Sequence, residues 1–209
     1  MKKIDIDSWN RKEHFRFFNT FDEPYFSFVT LVDCAAAHAF AKANQLSFFS
    51  LYLHRSLVAA NGTETFRLRI QGQEVVLFDQ VHASSTIGRP DNTFGFSFIP
   101  YDPDFTRFSE ALQAETVAVK ESSGLRFREE MTRADVIHYS SIPWIHFTSL
   151  SHPRRWDGRD SVPKITFGQT RKEGDRLLMP VGVHAHHALM DGYHVGLFFK
   201  HFEELLQKF

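Results

Sequence analysis

The sequence predicts an α/β fold, a two-layer α+β sandwich in which helices cover a mixed, mostly antiparallel sheet. Segments with the apolar period of helices and segments with the two-residue period of strands occur in mixed order along the 209 residues. We find no internal repeat and no long linker rich in proline, glycine or serine. We therefore expect residues 1–209 to form a single domain.

Helices are indicated by composition and spacing in four segments, residues 35–42, 48–62, 103–119 and 195–206. Asp33 precedes the first segment, where a carboxylate can cap free backbone N–H groups. Gly62 is a typical signal for the end of the second helix. Asp191 is expected to cap the last helix, which has the most regular apolar spacing.

Strands are indicated by alternation and by short apolar runs. Residues 66–70 and 75–78 flank a turn that contains glycine, which predicts a β-hairpin. Phe94, Phe96 and Phe98 recur at every second residue, so their rings share one face of a strand that we expect to have one buried side. Further strands are predicted at residues 142–147, 162–167 and 177–183, the last of them after a charged turn.

The charge balance excludes several partners. Lys and Arg total 24 against 25 Asp and Glu, so there is no broad cationic surface for nucleic acid or an anionic membrane. No apolar run is long enough to span a bilayer, and acidic residues stand near the N-terminus where a signal peptide needs an apolar stretch. Cys34 is the single cysteine and cannot form an internal disulfide. We expect a reduced, cytoplasmic protein.

Histidines are concentrated near the C-terminus. His184 and His186 would share one face of a strand, which makes a zinc pair conceivable. However, no cysteine or neighbouring carboxylate completes a tetrahedral ligand set, and surplus histidines on an exposed strand face are far more common than metal sites. We expect no metal.

A second pattern in this region is His187 at the end of a strand, followed four residues later by Asp191. A histidine there can act as a general base, because its ordinary pKa of about 6.5 leaves it mostly neutral near pH 7. The alternative is a packed histidine followed by an aspartate that only caps a helix. Taken alone, the spacing favours the alternative, so the rest of the chain has to decide.

Four other segments bear on that choice. Trp-x-Arg-x-Glu-His-Phe stands at residues 9–15, Ser-x-x-Pro-Trp at 140–144, Glu-Gly-Asp-Arg-x-Leu-x-Pro at 173–180 and Asp-Gly-Tyr-His-Val at 191–195. Together with His-His-x-x-x-Asp-Gly at 186–192, this set resembles the chloramphenicol acetyltransferase family over nearly the whole chain. The histidine motif alone is shared with dihydrolipoamide acyltransferase cores and peptide-synthetase condensation domains.

The resemblance implies a CoA-dependent acyltransferase fold and O-acetyl transfer from acetyl-CoA to chloramphenicol or a similar xenobiotic alcohol, an antibiotic-resistance activity. It implies that His187 is the general base, that the Ser140 hydroxyl hydrogen-bonds the oxyanion and that Thr166 assists through water. Arg11 and Asp191 would form a buried ion pair that aims His187. The alternatives are an acetyltransferase for a different small alcohol or amine, and a non-catalytic trimeric binder.

The resemblance also implies a homotrimer in which His187 of one chain faces the acceptor pocket of its neighbour. The aromatic wall of that pocket would be formed by Phe17, Phe94, Phe127 and Trp144. Three pocket residues depart from the family pattern, namely Phe18, Arg126 and Lys164. The charged groups of Arg126 and Lys164 can point to solvent with their stems packed inward, or they can change which alcohol fits.

Overall fold

The computed structural model describes residues 1–153 and 160–209. Its helices are α1 Lys12–Phe18, α2 Ala35–Ala43, α3 Phe48–Gly62, α4 Phe105–Lys120 and α5 Gly192–Gln207, with short 3-10 helices at Glu64–Arg67 and Glu129–Thr132. Its strands are β1 Lys2–Lys3, β2 Tyr25–Asp33, β3 Leu68–Gln71, β4 Glu74–Leu77, β5 His82–Gly88, β6 Phe94–Ile99, β7 Val136–Ile142, β8 Lys164–Gly168, β9 Arg171–Glu173 and β10 Arg176–His186. In the described residues no helix is both long and apolar enough to cross a membrane.

The main sheet has the strand order β2-β10-β8-β7-β5-β6, and β9 pairs with β10. The pairs β5–β7 and β7–β8 are parallel and the others are antiparallel, so the predicted mixed, mostly antiparallel sheet is confirmed. A separate small sheet, β1-β4-β3, contains the predicted hairpin. Strand β10 is the longest element of the main sheet and leads directly to the turn that contains His187.

The two faces of the main sheet differ in composition. Ala83, Ile137, Ile165 and Val183 belong to a buried core that also contains apolar residues of α2 to α5, so the helices cover this face. The residues next in sequence point to the opposite face, because side chains alternate along a strand. There the register aligns two polar rows across the sheet, Ser84–His138–Lys164–His184 and Thr86–Ser140–Thr166.

Two strand predictions are corrected by this arrangement. The strand predicted at residues 142–147 is wrong, because β7 ends at Ile142 and a turn follows it. The true strand is less apolar, since His138 and Ser140 point to the polar face. The strand that carries Phe94, Phe96 and Phe98 has one buried side, but that side belongs to Gly95, Ser97 and Ile99.

Helix ends follow local chemistry. The Asp191 carboxylate accepts the backbone N–H of Tyr193 at 3.1 Å and caps α5, as predicted. Helix α2 begins after Cys34, so the predicted cap residue Asp33 lies one position too early. Its carboxylate still accepts the N–H of Ala35 at 3.0 Å. The second and third predicted helices occur as α3 and α4.

Candidate active site

His187 lies in the turn between β10 and α5. Its backbone N–H donates to the Pro24 carbonyl at 2.8 Å, and its ring stacks on Phe18 with a centroid separation of 3.9 Å. The ring atom Nδ1 lies 3.2 Å from the Met190 carbonyl oxygen. Because a carbonyl oxygen can only accept, Nδ1 carries the proton and Nε2 of the neutral ring has a free lone pair. The imidazole is thereby oriented as a proton acceptor at Nε2.

Arg11 spans the two ends of this turn. Its Nη1 donates to Asp191 Oδ2 at 2.7 Å, and its Nη2 donates to the His187 carbonyl oxygen at 3.4 Å. Burial raises the pKa of Asp191, but the hydrogen bond from Arg11 and the neighbouring His194 and Arg11 charges outweigh it and lower that pKa to about 2. The guanidinium therefore stays paired with a carboxylate, and the pair fixes the turn that holds His187.

A cleft of about 600 Å³ opens on the polar face of the main sheet. Its lining includes five predicted site residues, Phe94, Phe127, Ser140, Trp144 and Lys164. The floor contains Ser84, Thr86, His138, Ser140 and Lys164 of the two polar rows. Trp144 and Phe127 stand at the mouth with 77% and 65% of their surface exposed. The cleft thus combines a hydrogen-bonding floor with an aromatic rim, a composition typical of small-molecule sites.

Ser140 and Thr166 lie side by side on neighbouring strands β7 and β8. The Ser140 hydroxyl lines the cleft and lies 3.4 Å from the Thr86 hydroxyl, while Thr166 is fully buried. The Thr166 hydroxyl is 2.9 Å from Nε2 of His152, which also lines the cleft. Thr86 and His152 were not predicted as site residues, because their positions depend on the pairing of distant segments.

Lys164 is buried in the cleft floor, with 7% of its surface exposed. Its ammonium hydrogen-bonds to Asp160 and lies 5.0 Å from the centre of the Tyr25 ring. Burial raises the pKa of Asp160, but the charge and hydrogen bond of Lys164 have a larger opposite effect. The pKa of Asp160 is therefore lowered from its ordinary value. Lys164 is thus neither at the rim nor an isolated charge. Its partner Asp160 was not predicted from the sequence.

His138 adjoins Lys164 in the same polar row. Burial, followed by repulsion from the Lys164 ammonium, lowers the pKa of His138 to about 4. The His138 imidazole is therefore neutral near pH 7. Among the described residues, the cleft floor consequently presents a paired ammonium, a neutral imidazole and several hydroxyls.

The structure separates the predicted site residues into two groups. Ser140, Thr166, Lys164, Phe94, Phe127 and Trp144 lie at the cleft, whereas His187, Arg11, Asp191, Phe17 and Phe18 lie around the turn after β10. Ser140 is in register with Thr166 and through it with Gly182, four residues before His186. Strand geometry then puts the Cα atoms of Ser140 and His186 roughly 16 Å apart. The side chains of His187 and Ser140 in one chain are therefore too far apart for direct contact.

The histidine strand shows no metal geometry in the part of the chain that is described. No group of three or more His, Cys, Asp or Glu side chains there could hold a metal ion. His184 and His186 are buried, which corrects the expectation of an exposed strand face. The His184 ring packs against His152 and the His186 ring against Tyr25, with centroid separations of 4.5 and 5.4 Å.

Comparison with known proteins decides the family. A family model described as chloramphenicol acetyltransferase matches residues 1–203. The chain belongs to the chloramphenicol acetyltransferase family. This confirms the resemblance and makes the chain an acyltransferase enzyme.

Individual members of the chloramphenicol acetyltransferase family match over nearly their whole length. A chloramphenicol acetyltransferase of Bacillus pumilus is 28% identical over 207 residues, which cover 99% of this chain and 93% of that protein. Chloramphenicol acetyltransferase 3 of Escherichia coli is 28% identical and covers 97% of this chain and 95% of its own length. A solved structure of a chloramphenicol acetyltransferase has a TM-score of 0.91 at 33% identity, covering 98% of this chain and 100% of the other.

More distant solved structures support the fold alone. The dihydrolipoamide acetyltransferase of Azotobacter vinelandii has a TM-score of 0.68 at 16% identity, covering 88% of this chain and 82% of the other. The predicted CoA-dependent acyltransferase fold is therefore confirmed.

The ion pair between Arg11 and Asp191 leads to a prediction about stability. We expect Arg11→Ala to lower the free energy of unfolding by about 1–3 kcal/mol, because it leaves a half-buried carboxylate without its partner. The folded-state pKa of Asp191 lies below its usual value of 3.8. The pair's contribution is therefore complete above about pH 4 and is lost as the pH falls towards 2. Denaturant unfolding at a series of pH values measures this.

Two further variants make the test specific. Arg107→Ala removes an exposed arginine that binds Asp102 through two hydrogen bonds, and it is expected to leave the free energy of unfolding nearly unchanged. Adding Asp191→Asn to Arg11→Ala should restore part of the loss, because the unpaired charge is gone. Strictly additive losses would argue against the pair.

Proposed function

We propose that the chain is an O-acetyltransferase that moves the acetyl group of acetyl-CoA to a hydroxyl of chloramphenicol or a similar xenobiotic alcohol. We further propose that it is a homotrimer whose active sites lie between chains, with His187 of one chain facing the cleft of the next. The observation that carries this proposal is the separation of His187 from Ser140 within one chain. Both are needed at one substrate, so a second copy has to complete the site.

The proposed reaction uses each group once. His187 Nε2 takes the proton of the acceptor hydroxyl, and the oxygen attacks the thioester carbonyl of acetyl-CoA. The Ser140 hydroxyl donates to the oxyanion of the tetrahedral intermediate. Collapse of the intermediate breaks the C–S bond. The leaving CoA thiolate then takes the proton from His187, which regenerates the neutral base. Arg11 and Asp191 would hold the imidazole in place without touching the substrate.

The cleft supports an amphiphilic acceptor of modest size. A volume of about 600 Å³ lies within the range of small-molecule sites, which is about 300–1,000 Å³. An aromatic ring can pack against Phe94, Phe127 and Trp144, while hydroxyl or carbonyl groups can bind the polar floor. The Lys164–Asp160 pair gives that floor more hydrogen-bonding capacity than an apolar residue would. Other small alcohols, and amines, are the alternatives in an acceptor screen.

Exposed aromatic side chains support the assembly. Phe17 belongs to the His187 group, and Phe127 and Trp144 belong to the cleft group, yet all three are more than half exposed in one chain. Phe28 and Leu31 of the edge strand β2 are also exposed. Aromatic surface of this kind is typical of protein interfaces. In a closed ring of three copies, each His187 group would cover the cleft of its neighbour. The single domain and the cytoplasmic location stay predictions.

Subunit complementation tests the proposal. His187→Ala and Ser140→Ala chains are each expected to be nearly inactive in the release of CoA thiol with acetyl-CoA and chloramphenicol. In oligomers formed from equal amounts of both variants, some sites combine an intact His187 with an intact Ser140. Random mixing in a ring with shared sites restores about a quarter of wild-type activity. Sedimentation equilibrium should give the mass of three chains.

The outcomes separate the parts of the proposal. No recovery on mixing would mean that each site lies within one chain. Recovery with the mass of two chains would retain the shared site and reject the trimer. Turnover of other alcohols but not of chloramphenicol by the wild-type chain would reject the acceptor and retain the reaction.

A further inference from the structure

Phe127 stands at the mouth of the cleft between two arginines, Arg126 and Arg128. We infer that Glu115 of α4 is a positioning residue that binds both arginines and thereby holds Phe127 in place for the acceptor. The inference rests on the proposed function, since it assumes that the cleft binds the acceptor. Glu115 itself is not part of the cleft lining that the structure describes.

The Glu115 carboxylate binds both arginines. Arg126 reaches the two oxygens of Glu115 at 2.6 and 3.2 Å, and Arg128 Nη2 lies 3.1 and 3.3 Å from them. An arginine that engages both oxygens of a carboxylate is held in orientation as well as in position. The residues before and after Phe127 are therefore fixed to the same helix, and the short chain between them has little freedom.

The backbone of this segment requires such support. Arg126 has a φ of 52°, in the left-handed region that residues other than glycine adopt at a cost. Gly124, two residues earlier, also has a positive φ of 61°. This sharp bend directs the Arg126 side chain towards Glu115 while Phe127 lies at the cleft. The carboxylate contacts offset the strain of a non-glycine residue at this position.

A second attachment ties the segment to the cleft wall. The N–H of Phe96 donates to the Leu125 carbonyl at 3.0 Å, and Arg126 Nη1 donates to the Phe96 carbonyl at 3.4 Å. Phe96 lines the cleft together with Phe127. The segment thus connects α4 to the strand that carries the aromatic wall, and movement of Glu115 would be transmitted to Phe127.

Most surface ion pairs contribute little, but this one differs in burial and geometry. The side chains of Arg126 and Glu115 are only 11% and 19% exposed. Burial raises the pKa of Glu115, but the hydrogen bonds and charges of Arg126, and then those of Arg128, have a larger opposite effect. The pKa of Glu115 is therefore lowered from its ordinary value. The pair on Asp102 and Arg107 has the same bidentate form without contact to the cleft, and Arg107 there is 66% exposed.

The test is a double-mutant cycle between Glu115 and Phe127. Glu115→Ala is expected to raise the KM for the acceptor about fivefold, with kcat and the KM for acetyl-CoA changed less than about twofold, because an aromatic contact to the acceptor is misplaced. Phe127→Ala should give a similar rise. In the double variant the rises should not multiply, because Glu115 acts through Phe127. Glu115→Gln should fall between Glu115→Ala and wild type, and Asp102→Ala is the matched control.

Hydrogen exchange provides a readout that does not depend on turnover. Amide exchange at residues 125–128 is expected to become faster in Glu115→Ala and to stay unchanged in Asp102→Ala. If the wild-type chain acetylates no acceptor, the proposed function fails. Faster exchange in Glu115→Ala would still support the positioning of Phe127 by Glu115. Multiplying KM effects, a loss confined to kcat, or unchanged exchange at residues 125–128 would each overturn the inference.

Discussion

Replacing His187 with alanine is expected to lower kcat by about 10²- to 10⁴-fold, the range that a positioned general base contributes. An alcohol is a poor nucleophile until its proton is removed. The contact of Nδ1 with the Met190 carbonyl oxygen orients Nε2 of His187 as the proton acceptor. The backbone N–H of His187 keeps its bond to Pro24 in the variant. Steady-state release of CoA thiol, at saturating concentrations of both substrates, measures the loss.

The neighbouring histidine is the matched control. His186 is buried, and its Nδ1 accepts the N–H of Ala188 at 3.3 Å, so its role in the turn is structural. We expect His186→Ala to lower the thermal midpoint while kcat changes much less than in His187→Ala. Retention of more than about a tenth of wild-type kcat by His187→Ala would reject His187 as the base. Exchanged phenotypes would mean that the wrong histidine had been assigned.

Elements whose signals are local could be predicted from the sequence. Helix α5 is an example, because its apolar spacing and the Asp191 cap are both encoded within a short segment. Strand β7 could not be placed, because its cleft-facing residues His138 and Ser140 interrupt the apolar pattern. The Phe94 strand was recognised, but a ring on the cleft face and a ring in the core have the same alternation. Which face is buried depends on where the helices pack.

The site residues illustrate the same limit. The motifs identified His187, Ser140 and the Arg11–Asp191 pair by residue type, but their distances depend on strand register across β7, β8 and β10. The partner of Lys164 was missed, because Asp160 is four residues away outside any helix and sequence spacing does not predict that contact. The separation of the site residues into two groups also cannot be predicted from the sequence alone. It appears only when the register is known.

Ser140→Ala is expected to lower kcat by about 10²-fold, with little change in the KM of either substrate, because its hydroxyl would bind charge that develops only in the transition state. The hydroxyl lines the cleft, and its neighbour among the described contacts is the Thr86 hydroxyl at 3.4 Å, a long hydrogen bond that a developing oxyanion can easily replace. Steady-state kinetics with each substrate varied in turn separates the effect on kcat from the effects on KM.

Ser141 is a control of the same residue type at the next position of β7. Ser141 also lines the cleft, but its hydroxyl bonds to the Tyr52 hydroxyl of α3 at 3.1 Å, on the side of the sheet that the helices cover. Ser141→Ala should therefore lower the thermal midpoint slightly and leave kcat within about threefold of wild type, because it removes one buried hydrogen bond and no contact to the oxyanion. An effect of Ser140→Ala confined to the acceptor KM would make Ser140 a binding residue. Equal losses of kcat in both variants would show that disturbance of β7, rather than a missing oxyanion donor, causes the defect.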